Sequence, residues 1–158
     1  RQGSQMTTLL TRPEDIAHEL DARMQTITKA NGYEIDLAVR VLRGRRKIDD
    51  EMVPCVVLVE GLDNVTMSPA IKAATAKISQ GYVLVGYHKC DPDHPNDVGH
   101  AIIRSLKHAV FKDGTTLGDQ VKSVEYRGRD IGPRGDGVGI VSASVEIQVE
   151  FVEHLNVL

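Results

Sequence analysis

The stretch VSASVEIQVEF, residues 141–151, decides the fold of this chain. Valine, alanine, isoleucine and phenylalanine occupy its odd-numbered positions, whereas serine, glutamate and glutamine occupy the even-numbered ones. Because successive side chains of a β-strand point to opposite faces, this alternation predicts a strand with one apolar face and one wet face. Such strands are typical of antiparallel sheets that are covered on one side.

Two earlier stretches are also predicted to be strands. Residues 35–42 place an apolar side chain at every second position, which predicts a half-buried strand. The apolar run of residues 55–59 is typical of a central strand buried on both faces, and Gly61 is expected to end it.

The second half of the sheet follows from weaker patterns. Alternation over residues 70–87 predicts a long strand, although alanine and lysine within residues 70–79 also suit a helix, which stays open as the alternative. Residues 121–126 predict a short strand, and the glycine-rich residues 128–139 are expected to turn the chain before the strand of residues 141–151.

Two amphipathic helices are predicted from apolar residues at helical spacing. Thr11 and Glu14 form a capping box for the first helix, which is expected to end near Asn31–Gly32. Asn96 suits the N-cap of the second helix, which Asp113–Gly114 should end.

These elements follow one another in the order α-β-β-β-α-β-β. We therefore predict one α+β domain over residues 6–158, with a mostly antiparallel sheet and both helices packed on one face. Residues 1–5 precede Met6 and look like a tag remnant, so they are left out of the fold prediction.

The composition argues against several classes of function. The chain has 19 basic and 22 acidic residues, a formal net charge of −3 and only 4% aromatic residues. Specific nucleic-acid binding needs clustered cations or stacking aromatics, so none is expected. Two cysteines, no leader peptide and no apolar stretch long enough for a bilayer predict a soluble protein of a reducing compartment, without membrane contact.

The densest polar cluster, His88–Asp97, offers imidazole, thiolate and carboxylate groups that could hold a transition metal. It lacks the paired spacing of zinc ligands and the ligand order of a calcium loop, and each residue also suits a strand end, a turn or a helix cap. Residues 132–139 lack the lysine and the following helix of a phosphate loop. Because no nucleophile, base and orienting group can be assembled, we expect no catalytic, cofactor-binding or metal-binding residues and no enzyme activity.

The remaining features are surfaces for protein contact. The connection Arg43–Glu51 and the segment Tyr126–Arg134 are loop-like and rich in arginine, which is favoured at interfaces, although a solvated hairpin gives the same composition. His100, Arg104 and His108 form one helix stripe that is expected to be solvated or to face another subunit. Long strands with exposed edges offer a second route to association. The residues expected at an interface are Arg43, Arg45, Arg46, Asp49, Asp50, Glu51, Arg127, Arg129, Asp130 and Arg134.

Three stretches resemble the tail terminators of long-tailed bacteriophages, a minor tail protein family that includes the terminator of phage lambda. They are CDPDHPND at residues 90–97, YRGRDIGPR at residues 126–134 and EFVEHL at residues 150–155. The resemblance covers essentially all of residues 6–158. Similar motifs recur in tail proteins of related phages, whereas the wider family is very divergent and the lambda member shares the order of elements more than the residues.

The resemblance implies a structural virion protein with no catalytic residues. Six copies would form a ring on the head-proximal end of the tail tube, end its polymerisation and present a surface to the head-tail connector, with DNA passing through without specific binding. The ring would lie in the virion tail after assembly in the cytoplasm of the host bacterium. Arg127, Arg129 and Arg134 of one subunit are candidate partners for the carboxylates of Asp49, Asp50 or Glu51 in the next. The alternatives are another head-tail joining protein, such as a tail completion or neck subunit, a metal-dependent enzyme using His88–Asp97, or a small cellular adaptor.

Overall fold

The computed structural model of the chain describes residues 12–66, 74–133, 137–156 and 158. Within these residues, two α-helices and five strands follow in the predicted order, with two 3-10 helices that were not predicted. The elements are α1 (Pro13–Met24), a 3-10 helix (Lys29–Asn31), β1 (Val41–Arg43), a second 3-10 helix (Asp50–Met52), β2 (Cys55–Thr66), β3 (Thr75–Lys89), α2 (Pro95–Phe111), β4 (Ser123–Ile131) and β5 (Ile140–His154).

The described strands form one sheet in the order β1-β2-β3-β5-β4. β1 runs parallel to β2, and every other neighbouring pair is antiparallel. The longest pairing joins β3 to β5 from Thr75 opposite His154 to Lys89 opposite Ile140. The prediction of an α+β fold with a mostly antiparallel sheet is therefore confirmed.

Alternation along the strands separates the two faces of the sheet. The odd-numbered residues of β5 from Val141 to Phe151 are all buried, and they share one apolar cluster with Tyr82 and Leu84 of β3 and with the inner faces of α1 and α2. We call this side the helix face, and the opposite side the open face. Gly86 shows how closely α2 approaches, because a Cβ atom placed there would lie 2.5 Å from Ile102 Cγ2.

A buried arginine fastens the two helices to each other. Arg23 of α1 is 6% exposed, and its guanidinium pairs with Glu19 Oε2 and Asp113 Oδ1, each at 2.9 Å. Arg23 Nη1 also reaches the carbonyl oxygens of Ala109 and Val110 at the end of α2, which satisfies groups that a helix C-terminus leaves without partners.

β2 is the strand that the prediction placed centrally, and Cys55–Val59 are buried on both faces. On the open face, the segment that returns from β1 to β2 brings Ile48, Asp50 and Val53 next to Tyr87 of β3. Burial raises the pKa of the Cys55 thiol, as expected for a cysteine that acts as a small apolar side chain.

The strand predicted over residues 35–42 is wrong except at its end, since β1 spans Val41–Arg43 alone. Ile35 and Leu37 are buried as the alternation required, but in an irregular segment. Its backbone bonds locally, because the N–H groups of Leu37 and Ala38 both donate to the carbonyl oxygen of Ile27. The side chains therefore alternate between buried and exposed although the backbone pairs with no strand here.

Two strands are longer than predicted because each accommodates a glycine in a bulge. β2 passes Gly61 and continues to Thr66, with a register shift between Glu60 and Asp63. β4 extends from Ser123 to Ile131 through Gly128, whose φ of +140° suits glycine. Most of the segment expected to be a loop at residues 126–134 is therefore strand.

The helix boundaries also differ from the prediction. Arg12, with no side-chain cap bond, precedes α1, and Thr11 lies outside the described residues. α1 ends at Met24 instead of near Asn31–Gly32, since Thr26 Oγ1 bonds back to the Arg23 carbonyl oxygen. His94 rather than Asn96 precedes α2, which begins at Pro95 because proline suits a first helical position.

The strand prediction for residues 70–87 is confirmed from Thr75 to Tyr87, and β3 continues to Lys89. Residues 70–73, like residues 1–5, lie outside the described part. Neither helix of the described residues combines the length and apolar content needed to cross a membrane.

Candidate interaction surfaces

The polar cluster His88–Asp97 forms the end of β3, a turn and the start of α2. His88 Nδ1 donates to the Lys89 carbonyl oxygen at 2.7 Å, and Asp91 Oδ1 accepts the N–H of Asp93 at 2.9 Å. Across the described ranges, no three histidine, cysteine or acidic side chains converge as metal ligands would. The His88 ring and the Asp91 carboxylate instead bond to the local backbone.

The glycine-rich residues 132–139 join β4 to β5, and Arg134 and its two successors lie outside the described residues. The Gly132 N–H donates to the Ser142 carbonyl oxygen at 2.8 Å, and the Gly139 carbonyl oxygen accepts the Cys90 N–H at 2.9 Å. The segment leads into a strand, so no helix N-terminus stands where a phosphate loop would need one.

The arginines of the first predicted interface segment differ in their surroundings. Arg43 is half-buried and pairs within its own subunit, at 3.3 Å from Glu60 Oε2 and 3.8 Å from Asp21 Oδ2. Arg46 Nη2 donates to the Arg43 carbonyl oxygen at 2.7 Å, whereas Arg45 is exposed. Arg43 therefore fixes β1 to α1 and to β2.

Beneath Arg43 lies a polar cluster that the sequence did not reveal. Burial raises the pKa of the Asp21 carboxyl, and the nearby Arg43 partly offsets this effect. The hydroxyl of Tyr82, beside Glu60 on the neighbouring strand, is fully buried, and burial raises its pKa well above the ordinary value. Within the described residues, neither Asp21 Oδ1 nor the Tyr82 hydroxyl has a hydrogen-bond partner.

The acidic residues of the same segment form an exposed turn, which we call the acidic turn: Asp49, Asp50 and Glu51. The second 3-10 helix begins within it. None of its carboxylates forms an ion pair or hydrogen bond with another described residue. Asp50 borders a groove of about 260 Å³ on the open face, which Ile48, Tyr87 and Pro133 also line.

The second predicted interface segment lies on β4, at an edge of the sheet. Arg127, Arg129 and Asp130 are exposed there, and Arg127 Nη1 pairs with Glu125 Oε1 of the same strand at 3.0 Å. A bulge at Gly128 and alternating charges are devices by which natural edge strands avoid indiscriminate pairing. Pro133, the last described residue of this segment, lines the groove beside the acidic turn. Within the described residues, no ion pair joins this segment to the connection Arg43–Glu51.

A second free edge was missed by the prediction because Gly61 was expected to end β2. β1 covers β2 only from Val56 to Leu58, so the portion Glu60–Thr66, which we call the arm, has no described strand beyond it. The arm is exposed throughout, and its Leu62 and Val65 are 93% and 56% exposed. Exposed apolar side chains beside a free edge indicate a surface for protein contact.

The stripe predicted on the second helix is exposed, and the turn after α1 makes it one wall of a cleft. Arg104 binds Glu34 through two hydrogen bonds of 2.9 Å, which lower the pKa of the Glu34 carboxyl. The rings of Tyr33 and His108 meet edge to face, with centroids 5.4 Å apart. The cleft has a volume of about 210 Å³, and a neighbouring pocket of about 340 Å³, which shares Asn31, Tyr33 and His108 with it, is lined by Lys112.

No protein-family model matches the chain, and no curated protein matches it significantly.

Proposed function

We propose that this chain is a structural assembly subunit without enzyme activity, which closes into a ring and terminates the tail of a long-tailed phage. The ring, a hexamer by resemblance to tail terminators, caps the head-proximal end of the tail tube. It ends addition of tube protein and presents a new surface to the head-tail connector. DNA passes through the lumen without specific binding. The site of action is the virion tail, after assembly in the host bacterial cytoplasm.

The observation that carries this proposal is a sheet with two unlike free edges. β4 offers a bulged edge with Arg127 and Arg129, and the arm offers an edge with exposed Leu62 and Val65. These two strands lie towards opposite edges of the sheet, so their free edges cannot pair with each other within one copy. A contact between unlike patches of successive copies is heterologous, and such contacts close into a ring when the rotation between copies allows it.

The partners follow from the role. The tail tube protein and the connector proteins would contact the two rims of the ring, and copies of the chain would contact each other around it. Arg129 and Arg134 remain candidates to meet carboxylates of the next subunit. Arg127 would have to exchange its present partner, Glu125, for such a contact.

Negative-stain microscopy of the concentrated protein, with and without isolated tail tubes, tests the proposal. We expect six-fold rings, or capped tubes that stop growing when tube protein is supplied. Reversing the charges of Arg127 and Arg129 should weaken the rings, and Lys122→Glu, another exposed change of charge, serves as control. Tail tubes that continue to grow in the presence of the protein, whether or not the protein binds them, would refute the role of terminator.

The metal-dependent alternative requires a separate measurement. Elemental analysis of dialysed protein should find no stoichiometric zinc or manganese. Two results together would contradict the structural role: metal that is retained after dialysis, and turnover of a small molecule. The turnover would have to be lost when one acidic or histidine side chain within His88–Asp97 is replaced.

A further inference from the structure

The acidic turn and the cleft beside α2 lie on opposite sides of the molecule. Asp50 borders a groove with Tyr87 and Ser142, both of which point to the open face. The cleft is lined by Arg104 and His108 of α2, which packs on the helix face. The two surfaces cannot meet within one copy.

The exposed charges of the two surfaces differ in sign, and Glu34, which also lines the cleft, pairs with Arg104 but leaves Lys112 without such a partner among the described residues. The acidic turn exposes three consecutive carboxylates that no described side chain neutralises. Lys112 at the end of α2 is exposed, and no ion pair joins it to a described residue. Arg104 adds a guanidinium whose Nε and Nη2 bind Glu34, which leaves Nη1 for another acceptor. A lysine and an arginine along one helix face form a surface that suits carboxylates.

The shapes are compatible as well. The cleft holds about 210 Å³, several times the ~30 Å³ that one water molecule occupies in the liquid, so it has room for a carboxylate side chain. Asn31, Tyr33 and Glu34 form its second wall. Asp50 and Glu51 of the acidic turn lie in a 3-10 helix of three residues, which Asp49 precedes, and all three residues are exposed.

We infer that the acidic turn of one copy docks on α2 of the next copy, over the cleft of Tyr33, Arg104 and His108 and the neighbouring pocket that Lys112 lines. This inference rests on the proposed ring and adds a second contact to that of the two sheet edges. The contact joins unlike surfaces, as a cyclic assembly requires. It assigns the basic side of the contact to α2, whereas the sequence favoured the arginines of β4, of which Arg127 already has a partner in its own strand.

A charge swap within one chain tests the contact. Lys112→Glu and Glu51→Lys should each weaken self-association at low ionic strength by about tenfold, because an attractive pair becomes a repulsive one. The chain that carries both changes should regain most of the wild-type association, since the charges again oppose each other. Sedimentation velocity measures the association, and thermal unfolding verifies that each variant folds.

Two controls separate this contact from other causes. Lys122→Glu makes the same change of net charge at an exposed position outside the cleft and should leave association unchanged. Arg129→Glu tests the β4 surface. Rings that resist Lys112→Glu but fail with Arg129→Glu would overturn the inference and leave the ring proposal standing. Equal losses with Lys112→Glu and Lys122→Glu, or a wild-type chain that stays monomeric at low ionic strength, would overturn it too.

Discussion

Gly86 of β3 lies where the helix layer comes closest to the sheet. A Cβ atom at this position would stand 2.5 Å from Ile102 Cγ2 and 3.2 Å from Leu37 Cδ1. The first distance is shorter than real Cβ contacts allow, and both neighbouring side chains are fully buried, so α2 or the irregular segment has to shift. Gly86→Ala should therefore destabilise the protein.

The magnitude follows from two opposing effects. Overpacking a core typically costs about 1–3 kcal/mol, whereas replacing glycine by alanine restricts the unfolded chain and returns about 0.4–1 kcal/mol. The net loss is about 1–2 kcal/mol, which for a chain of this length lowers the unfolding midpoint by about 2–8 °C. Ile102→Leu removes the β-branch that causes the clash, so it should restore part of the loss when combined with Gly86→Ala.

Gly81 supplies a matched control on the same strand. A Cβ atom there would meet Gln148 Oε1 at 3.6 Å, an ordinary contact, so Gly81→Ala should leave stability unchanged or slightly raise it. Thermal unfolding followed by circular dichroism, together with urea titration, measures the three variants. Equal midpoints for Gly86→Ala and Gly81→Ala would refute the close packing of α2 on β3.

The remaining predictions concern buried polar groups and thiols. Arg23→Ala should cost about 2–3 kcal/mol in urea unfolding because it leaves carbonyl and carboxylate groups at the end of α2 without their donor, and a loss below 1 kcal/mol would contradict this role. The hydrogen bond from Arg23 lowers the pKa of Asp113 in the folded protein, so the ionised carboxylate stabilises the fold at neutral pH. This stabilisation is lost as the pH falls through the lowered pKa of the folded state. Asp113→Asn should therefore lower the stability at pH 7 and reduce the further loss of stability in acid. Burial raises the pKa of Asp21, so its ionised form opposes folding at neutral pH. Asp21→Asn should therefore leave the stability at pH 7 unchanged or raise it. A large loss of stability would show that the ion pair with Arg43 outweighs the desolvation of Asp21. A thiol reagent should titrate Cys90 alone in the native protein and Cys55 only after unfolding, and two reactive thiols in the native state would contradict the buried placement.

Regular burial made the centre of the sheet predictable from sequence. Every second residue of β5 faces the helices, so its alternation carried both the element and its orientation. Residues 55–59 are apolar throughout because β2 is covered on both faces. The same logic failed at Ile35 and Leu37, whose burial comes from a segment that bonds to Ile27 rather than to a strand. Alternation reports which side chains are buried, and the backbone partner decides whether they form a strand.

Glycine misled the prediction wherever a bulge accommodates it. Gly61 and Gly128 were expected to end or precede a strand, but both lie inside one, so the arm and the full β4 edge became visible only in the structure. The stripe of α2 was predictable from helical spacing. Its cleft was not, because Tyr33 is brought to His108 from 75 positions earlier in the chain by the packing of α1.

The short length of β1 has a consequence for how the protein fails under stress. Among the described residues, β1 and the loop that follows it cover the edge of the valine-rich run of β2. A low-charge, β-branched stretch of this kind pairs readily with identical stretches once uncovered. Heating the protein, or cleaving this loop with a protease, should therefore lead to fibril formation before the rest of the sheet unfolds.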